Sequence, residues 1–150
     1  MIKKNIFIFS LIFLLTNCGF TPIYLNNSDV NFSIEKVNYV GDREFNNFLK
    51  INLNKYKNKK VKNKIFLEVE SKYEKLTLTK DATGKTTNYQ LVTKVIFLIK
   101  QTNKKIIIIK KKNMDSMDDK FEESIYERTI KQTFASLISN ELISKLMIIQ

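Results

Sequence analysis

Residues 64–100 read KIFLEVESKYEKLTLTKDATGKTTNYQLVTKVIFLIK, and their pattern sets the architecture expected of the whole chain. Apolar and polar side chains alternate over residues 64–79 and again over residues 87–100. Successive side chains of a β-strand point to opposite faces, so this period of two predicts two strands that each bury one face. DATGK at 81–85 lies between them, and its Gly84 suits the positive φ of a tight turn. The stretch therefore predicts a hairpin with one face turned toward a core.

The predicted core face of this hairpin is defined by every second residue. It comprises Ile65, Leu67, Val69, Ser71 and Tyr73 in the first strand, and Tyr89, Leu91, Thr93, Val95, Phe97 and Ile99 in the second. The alternation slips by one position between Tyr73 and Leu76. An extra residue on one strand shifts the phase in this way, so we expect a bulge or a bend there.

The segments on either side of the hairpin extend the sheet. Residues 101–105, QTNKK, predict a second turn, and residues 106–109, IIII, predict a short buried strand between lysines. On the N-terminal side, residues 32–40, FSIEKVNYV, alternate and predict a strand that ends at Gly41. The side chains expected to point inward from that strand are Phe32, Ile34 and Val37.

Two further segments have a helical period. Residues 42–58 predict a helix with Asp42 as its N-cap, and residues 116–149 predict a long helix that begins with a capping box of Ser116 and Asp119. The apolar stripe of the long helix comprises Tyr126, Ile130, Phe134, Ile138, Leu142 and Leu146, which we interpret as core. The expected fold class is therefore α+β, a two-layer sandwich of two helices packed on a mainly antiparallel four-stranded sheet, in the order β-α-β-β-β-α.

Composition limits the chemistry. The 150 residues contain no histidine and one cysteine, which excludes a disulfide within the chain and a zinc site built from Cys and His. We expect no metal, no cofactor and no enzymatic activity, although chemistry by Asp, Glu, Ser or Lys stays open. The formal charge is +11. That charge suits an anionic partner, but lysine, asparagine and isoleucine share AT-rich codons, so codon bias is an equal alternative.

The N-terminus predicts a lipoprotein signal. Residues 1–17 combine two lysines with an apolar run that is too short to span a bilayer, and Leu15-Thr16-Asn17 then precedes Cys18. This ending resembles a bacterial lipobox, in which the cysteine is lipidated, although Gly, Ala or Ser is usual where Asn17 stands. We expect residues 1–17 to be the signal peptide, 18–31 a lipidated tether, and 32–150 a single domain. The alternative for Cys18 is a free buried thiol.

The chain resembles LptE, the lipopolysaccharide-assembly lipoprotein family of Gram-negative outer membranes, most closely its alphaproteobacterial form. Cys18-Gly19-Phe20 followed by Pro22-Ile23-Tyr24 is similar to the family's opening CGF-x-PLY. The element order over residues 32–149, the DATGK turn and the closing helix at 125–146 are similar as well.

This resemblance implies a function without covalent chemistry. Members of the family sit in the lumen of the β-barrel LptD in a one-to-one complex, plug the barrel, help to assemble it, and assist lipopolysaccharide insertion into the outer leaflet. The implied location is the outer membrane, with attachment through acyl chains on Cys18. Gly19 after the cysteine is consistent with that location, because Asp there usually retains a lipoprotein at the inner membrane.

Clustered lysines are the candidate contacts to lipopolysaccharide phosphates. They are Lys80, Lys85, Lys104, Lys105, Lys110, Lys111 and Lys112, which flank the two predicted turns and the IIII strand. Solvated strand ends are the alternative explanation for these lysines.

Three other functions are alternatives to the plug role. A free-standing lipid-binding or carrier lipoprotein requires apolar residues on a sheet face that no helix covers. Nucleic-acid binding is not expected, because the chain carries an export signal and no aromatic residues are interleaved with its lysine runs. An enzyme is not expected in a chain without histidine or a second cysteine.

Overall fold

The structure is a computed structural model that describes residues 30–57 and 60–149. Its elements are β1 (Phe32–Gly41), α1 (Arg43–Leu53), a 3-10 turn (Asn54–Tyr56), β2 (Asn63–Lys80), β3 (Thr86–Ile99), β4 (Lys104–Asp115) and α2 (Lys120–Ile149). The sheet order is β1-β2-β3-β4, with β1 parallel to β2 and the other two pairs antiparallel. The predicted fold class is confirmed. The predicted signal peptide, the tether up to residue 29 and Cys18 lie outside the described residues.

The hairpin of β2 and β3 forms the centre of the sheet. Leu67 pairs with Ile99 and Val69 pairs with Phe97, and all four side chains are buried on the face that carries the helices. Gly84 adopts the predicted positive φ, at 87°. β1 and β2 run parallel, and α1 forms the crossover connection that parallel neighbours need.

The phase slip expected between Tyr73 and Leu76 is wrong. The register of β2 against β3 is continuous from Leu67 to Thr77, and its irregularities lie beyond, on either side of Thr79. Leu76 is apolar but lies on the opposite face from Tyr73, where it is exposed. Because Leu76 is apolar although it faces outward, the sequence showed a change of phase that the strand does not have.

A register shift also occurs in β1. The register of β1 against β2 shifts between Ile34 and Lys36, with Glu35 as the extra residue. Ile34 and Val37 are three positions apart, so in a regular strand they would point to opposite faces. The shift places both on the core face, as predicted for this strand.

The strand expected at 106–109 is longer and less buried than predicted. β4 runs over Lys104–Asp115, and within IIII only Ile106 and Ile108 are buried. Ile107 and Ile109 are 51% and 49% exposed on the other face. The sheet has its helices on one side, so a run of four isoleucines buries only alternate members.

Both helices begin at an aspartate. The Asp42 side chain accepts a 2.7 Å hydrogen bond from the Phe45 amide, which confirms the predicted N-cap. The long helix begins at Lys120 and not at Ser116, because Asp119 accepts from the amides of Phe121 and Glu122.

The long helix packs through most of its predicted stripe. Ile130, Phe134, Ile138, Leu142 and Leu146 are buried against the sheet and α1. The prediction that Tyr126 lies in the core is wrong: it is 37% exposed, and the centre of its ring lies 5.7 Å from Lys112 Nζ.

Gly41 closes β1 at a point where no side chain fits. Its φ is 101°, and an added Cβ would lie 1.8 Å from the Ser71 carbonyl oxygen. We predict that Gly41→Ala lowers the free energy of unfolding by about 3 kcal/mol or more, since strain and a backbone clash add together. Gly84→Ala is the matched control, with φ 87° and nothing within 4 Å of the added atom, and should cost only about 1 kcal/mol. Urea denaturation measures both variants, and equal losses would contradict the clash at Ser71.

Candidate functional site

The seven lysines predicted to contact lipopolysaccharide occupy three separate parts of the sheet. Lys80 and Lys85 lie at the β2–β3 turn, Lys104 and Lys105 begin β4 at the opposite end, and Lys110, Lys111 and Lys112 lie in its middle. A strand advances about 3.4 Å per residue, so the two ends of the β3–β4 ladder are on the order of 40 Å apart. The seven lysines do not converge on one anion site.

The turn between β2 and β3 is held by its own hydrogen bonds. The Asp81 carboxylate accepts from the Thr83 hydroxyl at 2.6 Å, the Thr83 amide at 2.8 Å and the Lys85 amide at 3.0 Å. The Thr83 hydroxyl is the main reason that the pKa of Asp81 is lowered. Lys85 Nζ contacts the exposed Asp118 carboxylate at 2.8 Å, so this lysine supports the turn, while Lys80 is exposed.

The three consecutive lysines of β4 alternate between the faces of the sheet. Lys110 and Lys112 point to the helix side, where Lys110 Nζ lies 2.7 Å from the Glu141 carboxylate and Lys112 approaches Tyr126. The hydrogen bond from Lys110 is the main reason that the pKa of Glu141 is lowered. Lys111 is exposed on the open face of the sheet, which we define as the face away from α1 and α2.

A polar cluster that the sequence analysis missed joins α2 to β2. Lys75 Nζ lies 2.8 Å from the Glu123 carboxylate and 3.0 Å from that of Glu127. The Tyr73 hydroxyl donates to Glu127 at 2.8 Å, and Lys131 Nζ lies 4.3 Å from the centre of the Tyr73 ring. The i, i+4 spacing of Glu127 and Lys131 was the available sequence signal, but nothing in it pointed to β2.

Glu123 is the most buried charged member of this cluster, at 5% exposure. Burial opposes its ionisation, but hydrogen bonds from Lys120, Lys75 and the Met117 amide outweigh that effect and lower the pKa to about 2. Tyr73 shows the opposite effect, because burial and the neighbouring Glu127 raise the pKa of its hydroxyl. The cluster is a structural ion-pair network that docks the start of α2 onto the sheet.

The open face of the sheet carries a shallow apolar depression of about 490 Å³. Val40, Ile96 and Leu98 contribute apolar surface to it, and Glu68 and Lys105 contribute charge at its margin. A second depression of about 390 Å³ lies at the end of the sheet near the β3–β4 turn, between Ile65, Ile99 and the end of α2 at Leu146. Both depressions have apolar floors and polar rims that include lysines.

Residues 30–57 and 60–149 have two further properties. No group of three or more His, Cys, Asp or Glu side chains there is arranged to hold a metal ion. Neither helix in those residues is long and apolar enough to cross a membrane.

The fold is shared with a solved bacterial lipoprotein at low sequence identity. The crystal structure of the rare lipoprotein B from Shewanella oneidensis matches with a TM-score of 0.53 at 13% identity, covering 77% of this chain and 98% of that chain. A minor lipoprotein from Acinetobacter baumannii has a TM-score of 0.49 at 19% identity, covering 74% and 94%. An uncharacterized lipoprotein B from Nitrosomonas europaea has a TM-score of 0.44 at 16% identity, covering 73% and 86%. No protein-family model matches this sequence, and no curated protein does. The Shewanella match shows a common fold.

The Glu123 network predicts a pH dependence of stability. The pKa of Glu123 is about 2 in the folded chain against an ordinary 4.5, so its contribution is complete above pH 4.5 and is lost as the pH falls toward 2. We expect Glu123→Gln to remove on the order of 2–3 kcal/mol at pH 7 and to flatten the fall in stability over that range. Glu122→Gln, at an exposed neighbouring position, is the control and should change neither. Chemical denaturation at a series of pH values measures the effect, and an unchanged acid slope in Glu123→Gln would contradict it.

Proposed function

We propose that this protein is a lipoprotein of the Gram-negative outer membrane that plugs the β-barrel LptD in a one-to-one complex. In this role it helps to assemble the barrel and assists lipopolysaccharide insertion into the outer leaflet. The observation that carries the proposal is the fold shared with the Shewanella rare lipoprotein B, in a chain whose Cys18 follows a signal-like segment. The proposed role consists of binding and involves no covalent chemistry.

The surface of the sheet also supports a binding role. Val40, Phe66, Ile107 and Ile109 are large apolar side chains that lie on the open face and are between 40% and 66% exposed. Exposed apolar surface on one face, rimmed by charged residues, is typical of a region that meets another macromolecule. We therefore propose the open face as the side that meets the barrel.

Not all of the predicted lysines are equally suited to contact lipopolysaccharide. Lys85, Lys110 and Lys112 already contact Asp118, Glu141 and Tyr126. Lys80, Lys104, Lys105 and Lys111 are exposed, and of these we propose Lys80 and Lys104 for phosphate contact.

A carrier lipoprotein is the second candidate function. The depression of about 490 Å³ on the open face favours it, because that depression has the apolar floor that an acyl chain needs. In this alternative the protein binds lipid alone, without a barrel.

Co-purification tests the proposal. The full chain carries a C-terminal tag, outer membranes are solubilised in mild detergent, and mass spectrometry identifies what is retained. We expect one large β-barrel at near one-to-one ratio. Retained lipid on the lone lipoprotein, with no barrel, would contradict the plug role and support the carrier.

The variant Cys18→Ala tests whether acyl chains on Cys18 anchor the protein to the membrane. Without acyl chains the protein should lose its attachment to membranes in cells that lack the barrel, since two or more chains are needed for stable anchoring. Fractionation after a salt wash measures this loss. A variant that still sediments with membranes in those cells would show that Cys18 lipidation is not the anchor.

A further inference from the structure

The outer edge of β4 carries a row of backbone groups with no strand beside it. β4 is the last strand in the sheet order, and no strand within the described ranges 30–57 and 60–149 pairs with its outer edge. The Ser116 amide donates to the Thr87 carbonyl at 2.9 Å, and the β3–β4 register is unbroken from Asn88–Asp115 onward. In an antiparallel ladder, alternate residues bond to the neighbouring strand and those between them face away.

This parity identifies the backbone groups that face outward. The even-numbered residues of β4 share the parity of Ser116 and bond to β3. The odd-numbered residues present their N–H and C=O groups away from the sheet, and they are Lys105, Ile107, Ile109, Lys111, Asn113 and Asp115.

The same odd-numbered residues place their side chains on the open face. Ile107 and Ile109 are half exposed there, and Lys105 and Lys111 stand on either side of them, both exposed. The edge therefore offers outward backbone groups in register with the side-chain pattern Lys-Ile-Ile-Lys.

We infer that the outer edge of β4 accepts an extended segment of another protein as an added antiparallel strand. In that segment two apolar residues at alternating positions lie opposite Ile109 and Ile107, and carboxylates lie opposite Lys111 and Lys105. Main-chain hydrogen bonds supply affinity in such strand addition, and the alternating side chains supply specificity.

Charge disfavours a second copy of this chain as the partner in the register that pairs the isoleucines. The antiparallel register that sets Ile107 against Ile109 of the second copy also sets Lys105 against its Lys111 and Lys104 against its Lys112. Like charges directly opposite one another destabilise a strand pair. Lysines at an edge strand discourage self-association, and the same lysines favour an acidic partner.

The spacing of the outward groups favours a polypeptide over an anionic lipid. A lipid headgroup satisfies Lys105 or Lys111, but it offers no regular row of donors and acceptors to Ile107 and Ile109. A strand satisfies both the backbone and the lysines at once.

A peptide titration tests the inference on the full chain in mild detergent. The probe is a fluorescent peptide, Glu-Thr-Val-Thr-Val-Thr-Glu, whose glutamates and valines match the four positions. We expect it to bind about tenfold more tightly than the same peptide with lysines in place of both glutamates. The double variant Lys105→Glu, Lys111→Glu should reverse that preference, and Lys94→Glu, at an open-face position on the adjacent strand, should not.

A modified peptide separates strand pairing from simple charge attraction. Methylation of the two valine amides removes the N–H groups that would bond to β4 and leaves every side chain in place, so binding should be lost while the protein itself is unchanged. If the methylated peptide binds equally well, or if none of the peptides binds, strand addition at β4 is wrong. Equal binding of the acidic and basic peptides would overturn the proposed acidic pattern. The assay contains no barrel, so its outcome is independent of the co-purification test.

Discussion

The structure depends on the burial of one face of the β2–β3 hairpin. Val95 and Phe97 are fully buried, and Leu67 and Val69 opposite them are nearly so. A one-residue slip would turn every one of these side chains to the other face, so the core fixes the register. The helices must then lie on that face, and the other face is left without a helical layer in the part of the chain that the structure describes.

Much of this architecture was predictable because it follows from periodicity. The alternation in β2 and β3, the Asp42 cap and the four-residue stripe of α2 each encode a local structure that tertiary packing preserves. The parallel pairing of β1 with β2 was harder to predict from the sequence, because the direction of a strand depends on how α1 crosses the sheet. It follows from topology and from no single residue of β1.

The errors arise where a face of the sheet or helix is not covered. IIII predicted a buried strand because a continuous apolar run does not reveal which residues a partner layer covers, and Ile107 and Ile109 face outward. Leu76 and Tyr126 were misread for the same reason. The Lys75–Glu123 network was missed because its members are distant in sequence, and only the docking of α2 brings them together. Ile107 and Ile109 also belong to the open face that we propose as the binding surface.

Cysteine labelling in intact envelopes tests most directly whether a partner covers the open face. Ile107→Cys and Ile108→Cys are neighbouring substitutions on opposite faces of β4, the first half exposed and the second 2% exposed. In the purified protein, a membrane-impermeant maleimide should react with the cysteine at position 107 and not with the one at 108. In outer membranes opened to the reagent, position 107 should become protected as well, because the partner covers it. Equal reaction at position 107 in membranes and in the purified protein would contradict the claim that the open face is a binding surface.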